Sequence, residues 1–180
     1  RPRTTPRTPS IAVSREDLLA RVLHRDALII VLNKPAGIPV HAGPGGGPNL
    51  EELFDALKFG LPRPPSLAHR LDRDTSGCLV LGRHPKALRK TGAMFAAGNA
   101  KKVYWAIVDG APKKPEGLIK LNLRKATPGK GWKMVVHPHG QEAITAYKVR
   151  GTVETPYGVR SWLELEPHTG RTHQIRVHCA

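Results

Sequence analysis

The run Ala68–Gly82, AHRLDRDTSGCLVLG, sets two carboxylates, Asp72 and Asp74, among two arginines, Arg70 and Arg73, and then turns through Thr75-Ser76-Gly77 into an apolar stretch. Paired carboxylates are the working parts of glycoside hydrolysis, but that chemistry needs them on either side of the scissile bond, roughly 5 Å or more apart. Two residues apart in a tight turn rarely achieve this. A division of labour fits better: one carboxylate acts on a substrate while the other supports the turn through the backbone bonds that aspartate favours. On this motif alone, a structural loop of charges that solvate one another is an equal alternative.

The closing stretch HTGRTHQIRVHC offers His168, His173, His178 and Cys179 as metal ligands. A spacing of five puts successive histidines on opposite faces of a strand and well apart around a helix, so a shared ion is awkward and no metal site is expected. Read as a strand, the segment turns Ile175 and Val177 to a core and Gln174, Arg176 and His178 to a polar, cationic face. An arginine in a cleft needs an anion, either a carboxylate such as Asp72 or an RNA phosphate. Tyr104, in KKVYWAIVDG, lies opposite Val103, Trp105 and Ile107 on its strand; its ring either packs or stacks on a splayed base.

Alternating and continuous apolar patterns supply the elements that must hold these residues. Leu28–Leu32 reads as a buried strand stopped by Asn33 and a Pro35-Ala36-Gly37 turn, followed by a mobile loop, GPGGGP. Asn49 with Glu52 forms a capping-box-like start for a helix carrying Leu50, Leu53, Phe54 and Leu57, which Gly60 ends. Cys78–Leu81 reads as a second buried strand, and Pro85 opens a helix with Leu88 and Phe95 on its apolar side. The segments KKVYWAIVDG, EAITAYKVRG, GVRSWLELEP and RTHQIRVH read as strands joined by Gly and Pro breakers, without the regular helices of a doubly wound parallel sheet. The fold class expected is α+β, with a largely antiparallel or mixed sheet.

Of the 180 residues, 29 are Lys or Arg and 14 are Asp or Glu, a formal net charge of +15. That excess points to a polyanion as partner. The cations recur along the chain, at Lys86, Arg89, Lys90, Lys101, Lys102, Lys113, Lys114, Arg124, Lys125, Lys130 and Lys133, as an extended nucleic-acid track would require. Cys78 and Cys179 are far apart and outside any CxxC spacing, which fits a reducing compartment and gives the expectation of a cytoplasmic location. The longest apolar run, Ala27–Leu32, is too short to span a bilayer, so no membrane partner is expected. RPRTTPRTPS has nothing to bury, and residues 1–25 are expected to form a basic, partly disordered arm ahead of a domain at 26–180.

Taken together and in this order, VLNKPAGIPVH, HRLDRDTSG, KKVYWAIVDG and TGRTHQIRVH resemble the signatures of the RluA-type family of RNA pseudouridine synthases, from about Leu28 to the last residue. The resemblance implies a pseudouridine synthase catalytic domain: a long, bent, mainly antiparallel mixed sheet with flanking helices and a central cleft, its closing part expected to be absent from this chain. It implies isomerisation of specific uridines in structured RNA, ribosomal or transfer, by base flipping, with no cofactor or metal. Residue by residue, it makes Asp72 the catalytic aspartate, Arg176 its basic partner, Tyr104 the ring stacked near the target base, and Arg70 the arginine that replaces the flipped nucleotide. Arg171, His173 and Gln174 follow as substrate-binding residues of the third motif, while Asp74 keeps its local role. A monomer that does not bind DNA is expected. A non-catalytic RNA-binding protein or RNA chaperone on the same scaffold is the alternative, and only the pair Asp72 and Arg176 separates the two.

Overall fold

A computed structural model of the chain describes residues 11–43, 46–126 and 133–180. The chain divides into two compact units, residues 1–95 and 96–180. Every strand pairing among the described residues is antiparallel, as the α+β reading expects.

In the first unit the elements run α1 (Arg15–Ala20), β1 (Val22–Arg25), β2 (Ile29–Lys34), a 3-10 helix (Leu50–Leu57), β3 (Ser66–Leu67), β4 (Gly77–Gly82) and α2 (Pro85–Ala96). The strands form a four-stranded sheet in the order β1-β2-β4-β3. Its core gathers Ile30 and Leu32 of β2, Leu79 and Leu81 of β4, and Leu50 and Leu57 of the 3-10 helix, all essentially inaccessible to water. Burial of this kind contributes roughly 1.5–3 kcal/mol per large aliphatic side chain. Residues 11–25 differ from the expected arm. Ser14 and Asp17 close a reciprocal capping box on α1, Leu18 is buried, and β1 pairs with β2. Positions 1–10, and positions 44 and 45 of the glycine-rich loop, lie outside the described residues.

The capping box expected at Asn49 is replaced by a different bond. Asn49 Nδ2 donates to Glu52 Oε1 at 2.8 Å, the side chain makes no cap bond to the backbone, and the eight residues that follow wind as a 3-10 helix. Its buried face, Leu50, Phe54 and Leu57, is the apolar set read from the sequence apart from Leu53.

The second unit contains β5 (Tyr104–Asp109), β6 (Glu116–Lys120), β7 (Leu123–Lys125), β8 (Met134–Val136), β9 (Ile144–Thr155), β10 (Gly158–Pro167) and α3 (Gln174–His178). The main sheet has the order β5-β10-β9-β6, and β7 pairs with β8. Tyr104, Ala106 and Val108 stand opposite Leu165, Leu163 and Ser161 of β10, and directly opposed residues share a face. That face is the covered one, since Ser161, Leu163 and Leu165 are all buried. The other face of β5 therefore carries Trp105 and Ile107 outward, 69% and 68% exposed, with Trp105 set edge-on to Trp162 at 5.1 Å. An exposed apolar face of this kind gives no support to the expected monomer.

The segment read as a final strand is the helix α3. The alternation of Gln174, Ile175, Arg176 and Val177 suits either form over so few residues. The helix wins because it brings Gln174 and His178, one turn apart, onto the same buried acceptor-donor, Thr145 Oγ1, at 3.0 and 2.9 Å.

Candidate active site

The loop 68–76, which joins β3 to β4, carries Arg70, Asp72, Arg73 and Asp74. Its exit is fixed by register. Lys34, the last residue of β2, stands opposite Gly77, the first of β4, whose φ of 119° is open to glycine and strained for other residues. Lys34 is only 1% exposed. Its Nζ donates to the carbonyls of Pro35, Arg73 and Thr75 at 2.8, 3.1 and 2.9 Å, and the amide of Gly37 donates to Arg73 O at 2.9 Å. An ammonium has three protons, and all three are spent on backbone oxygens, two of them within the loop. The Asp72 carbonyl in turn accepts from Thr75 N at 3.1 Å, closing the turn. Burial pulls the Lys34 pKa down to about 8, against the pull of the Asp74 and Asp72 carboxylates in the other direction. Lys34 thus sits in the field of both aspartates while it clamps the turn that carries them.

The loop's entrance is held by His69. Val80 N donates to His69 Nε2 at 3.0 Å, so this nitrogen accepts and the neutral ring carries its proton on Nδ1. The imidazole stacks on Phe95 of α2, with centroids 4.1 Å apart and planes inclined by 24°. Leu71, between Arg70 and Asp72, is buried, whereas Asp72 is half-buried and Arg70 exposed. Anchoring one residue of the loop in the core while its neighbours reach outward aims polar side chains from a fixed base. Asp74 is exposed and lies 3.9 Å from Arg73, consistent with a local role.

In the second unit, Tyr104 opens β5 and is half-buried on the covered face. Gln174 is buried, and its carboxamide is saturated. Oε1 accepts from Thr169 Oγ1 and Arg171 N at 2.7 and 3.0 Å; Nε2 donates to Ile144 O and Thr145 Oγ1, both at 3.0 Å. All four of these bonds are made within the protein, to the 169–171 turn and to residues 144 and 145. Arg171 is exposed and braced by Nε to Glu142 O at 2.9 Å, and Arg176 lies at an exposed position of α3. His173 precedes α3 with a φ of 53°, a left-handed conformation that few non-glycine residues adopt. His178 donates Nε2–H to Leu121 O at 3.1 Å and accepts from Thr145 at Nδ1, so both ring nitrogens are engaged in packing. Burial pushes the Cys179 thiol up. Among the described residues, no group of three or more His, Cys, Asp or Glu side chains is close enough to hold a metal ion.

Asp72 and Arg70 thus belong to the first unit, and Tyr104, Arg171, His173, Gln174 and Arg176 to the second. Lys34 and His69 were missed as site residues. The available signal was a lysine two residues after the apolar run Leu28–Leu32 and directly before Pro35, where the strand continues through Asn33 to Lys34.

The family model for RNA pseudouridylate synthase matches residues 28–180. An uncharacterized RNA pseudouridine synthase of Zymomonas mobilis is 45% identical over 91% of this chain and 73% of its own length. The mitochondrial RNA pseudouridine synthase 3 of rice is 39% identical over 92% of this chain but only 39% of its own length, so the chain spans well under half of that relative. Among solved structures, human RNA pseudouridylate synthase domain containing 4 superposes with a TM-score of 0.75 at 30% identity, over 91% of this chain and 65% of that one. The rice relative, two from Arabidopsis thaliana and one from Xenopus tropicalis are named mitochondrial, which overturns the cytoplasmic expectation drawn from two free cysteines.

Proposed function

The chain belongs to the RNA pseudouridylate synthase family, and from that premise we propose that it isomerises specific uridines in structured RNA, ribosomal or transfer, with Asp72 as the catalytic carboxylate. The observation that carries the assignment is the Lys34 cradle. A buried ammonium bonded to three backbone carbonyls, two of them in the loop, holds the loop that carries Asp72, and the buried Leu71 anchors the same loop one residue before the carboxylate.

The reaction breaks the N1–C1′ bond, turns the freed uracil and rejoins it through C5, whose proton is lost to solvent. The carboxylate must therefore meet the ribose or the base at close range and in a defined orientation. Attack at C1′, attack at uracil C6 and abstraction of a sugar proton all make that demand, and a turn fixed at its backbone meets it. A stacked uridine is out of reach, so the nucleotide is flipped, at roughly a few kcal/mol. In the proposed assignment, Tyr104 stacks near the flipped base, Arg70 fills the vacated place, and Arg176 is the basic partner of Asp72. Arg171 and His173 contact the RNA. The reading is tested with RNA tritiated at uridine C5: the protein releases label to water, and failure to release it from any cellular RNA sinks the proposal.

A further inference from the structure

Residues 75–108 contain no Asp or Glu, although the stretch includes Lys86, Arg89 and Lys90, all exposed on α2. None of the ion pairs among the described residues involves these three. The contrast with the sheet of the second unit is sharp: there Arg150, Arg160 and Lys148 each have a carboxylate partner, Glu164, Asp109 and Glu116. Lys86 repels Lys90 four residues on and Arg89 three residues on, each at a few tenths of a kcal/mol, with no acid in the helix to offset it.

Turning about 100° per residue, the three cations fall in one sector of α2, centred opposite Leu88, Gly92 and Phe95. That opposite side is the packed one. A Cβ on Gly82 of β4 would lie 2.6 Å from Leu88 Cα, and Phe95 stacks on His69. The helix is therefore pressed against the start of the Asp72 loop while its outer face offers only positive charge. Lys86 and Lys90 are about 6 Å apart along the axis, comparable to the separation of neighbouring phosphates on an RNA strand.

We propose that the Lys86, Arg89 and Lys90 face of α2 docks the phosphodiester backbone of the RNA beside the loop that carries Asp72. This rests on the reading of the chain as an RNA-modifying enzyme and names the surface through which it grips its substrate.

The test uses the full chain and unfractionated transfer RNA as probe, since backbone binding is independent of sequence and its affinity falls with salt in proportion to the phosphates contacted. The triple variant Lys86→Gln, Arg89→Gln, Lys90→Gln should bind at least tenfold more weakly at 0.1 M salt, with a log affinity against log salt slope shallower by about 2. The charge-retaining triple Lys86→Arg, Arg89→Lys, Lys90→Arg should stay within about twofold of the original affinity. A neutral triple with unchanged affinity and slope overturns the proposal, as does an equal loss in both triples, which would place the effect in helix packing. Tritium release by the unaltered protein is scored in parallel. Release with an unchanged slope removes the docking surface alone, and a reduced slope without release leaves the surface standing while the isomerase reading falls.

Discussion

Lys34 shows how much a single side chain determines here. The unfolded chain keeps its Lys34 proton to about pH 10.5, the native chain only to about 8. Between those values the unfolded state binds more protons, so this group favours the native state progressively as pH rises, by about 3 kcal/mol in the limit. Function runs the other way, because a neutral amine has two protons for three carbonyls and the Asp72 turn loosens. Denaturation across pH 7–10.5 should show a rise in stability that Lys34→Met lacks, while the unaltered enzyme loses activity above about pH 8. Gln174 is the counterpart in the second unit. Gln174→Ala removes the acceptor of the Thr169 hydroxyl and of the Arg171 amide and the donor to Thr145 Oγ1 and Ile144 O. Urea denaturation should register a loss of about 2–3 kcal/mol.

Among the elements, β4 and α2 meet closely at Gly82 and Leu88. Gly82→Ala would drive a methyl to within 2.6–2.9 Å of Leu88 Cα, Cβ and N, backbone that cannot swing away. Thermal unfolding should show a cost of about 1–3 kcal/mol, and activity should fall further because the shift reaches His69 through Phe95. The strands β2, β4, β5, β9 and β10 and the helix α2 were legible because each carries a continuous, alternating or helically spaced apolar pattern with Gly or Pro breakers close by. α3 was not. Its few alternating residues fit two periods, and only the distant Thr145 selects the helical one. The inward and outward faces of β5 were separated correctly, yet which one the protein covers depends on Leu163 and Leu165 of β10, some sixty residues away. Asp72 was visible as a candidate from its neighbours, whereas the roles of Lys34 and His69 depend on hydrogen bonds to the carbonyls of residues 73 and 75 and the amide of residue 80, which no spacing rule encodes.

At the scale of the whole molecule, a charge of +15 and a family match over residues 28–180 converge on RNA. Charge alone fits a passive RNA binder equally well, so the decisive evidence is chemical. Single-turnover release of tritium from C5-labelled RNA by Asp72→Asn, with RNA binding measured on the same preparation, tests the central claim most directly. Asparagine keeps the size and the turn but removes the carboxylate. The account predicts release at background with binding within about twofold of the unaltered protein, since the phosphate contacts that dominate affinity are untouched. Release from the Asp72→Asn protein at the rate of the unaltered enzyme would contradict it.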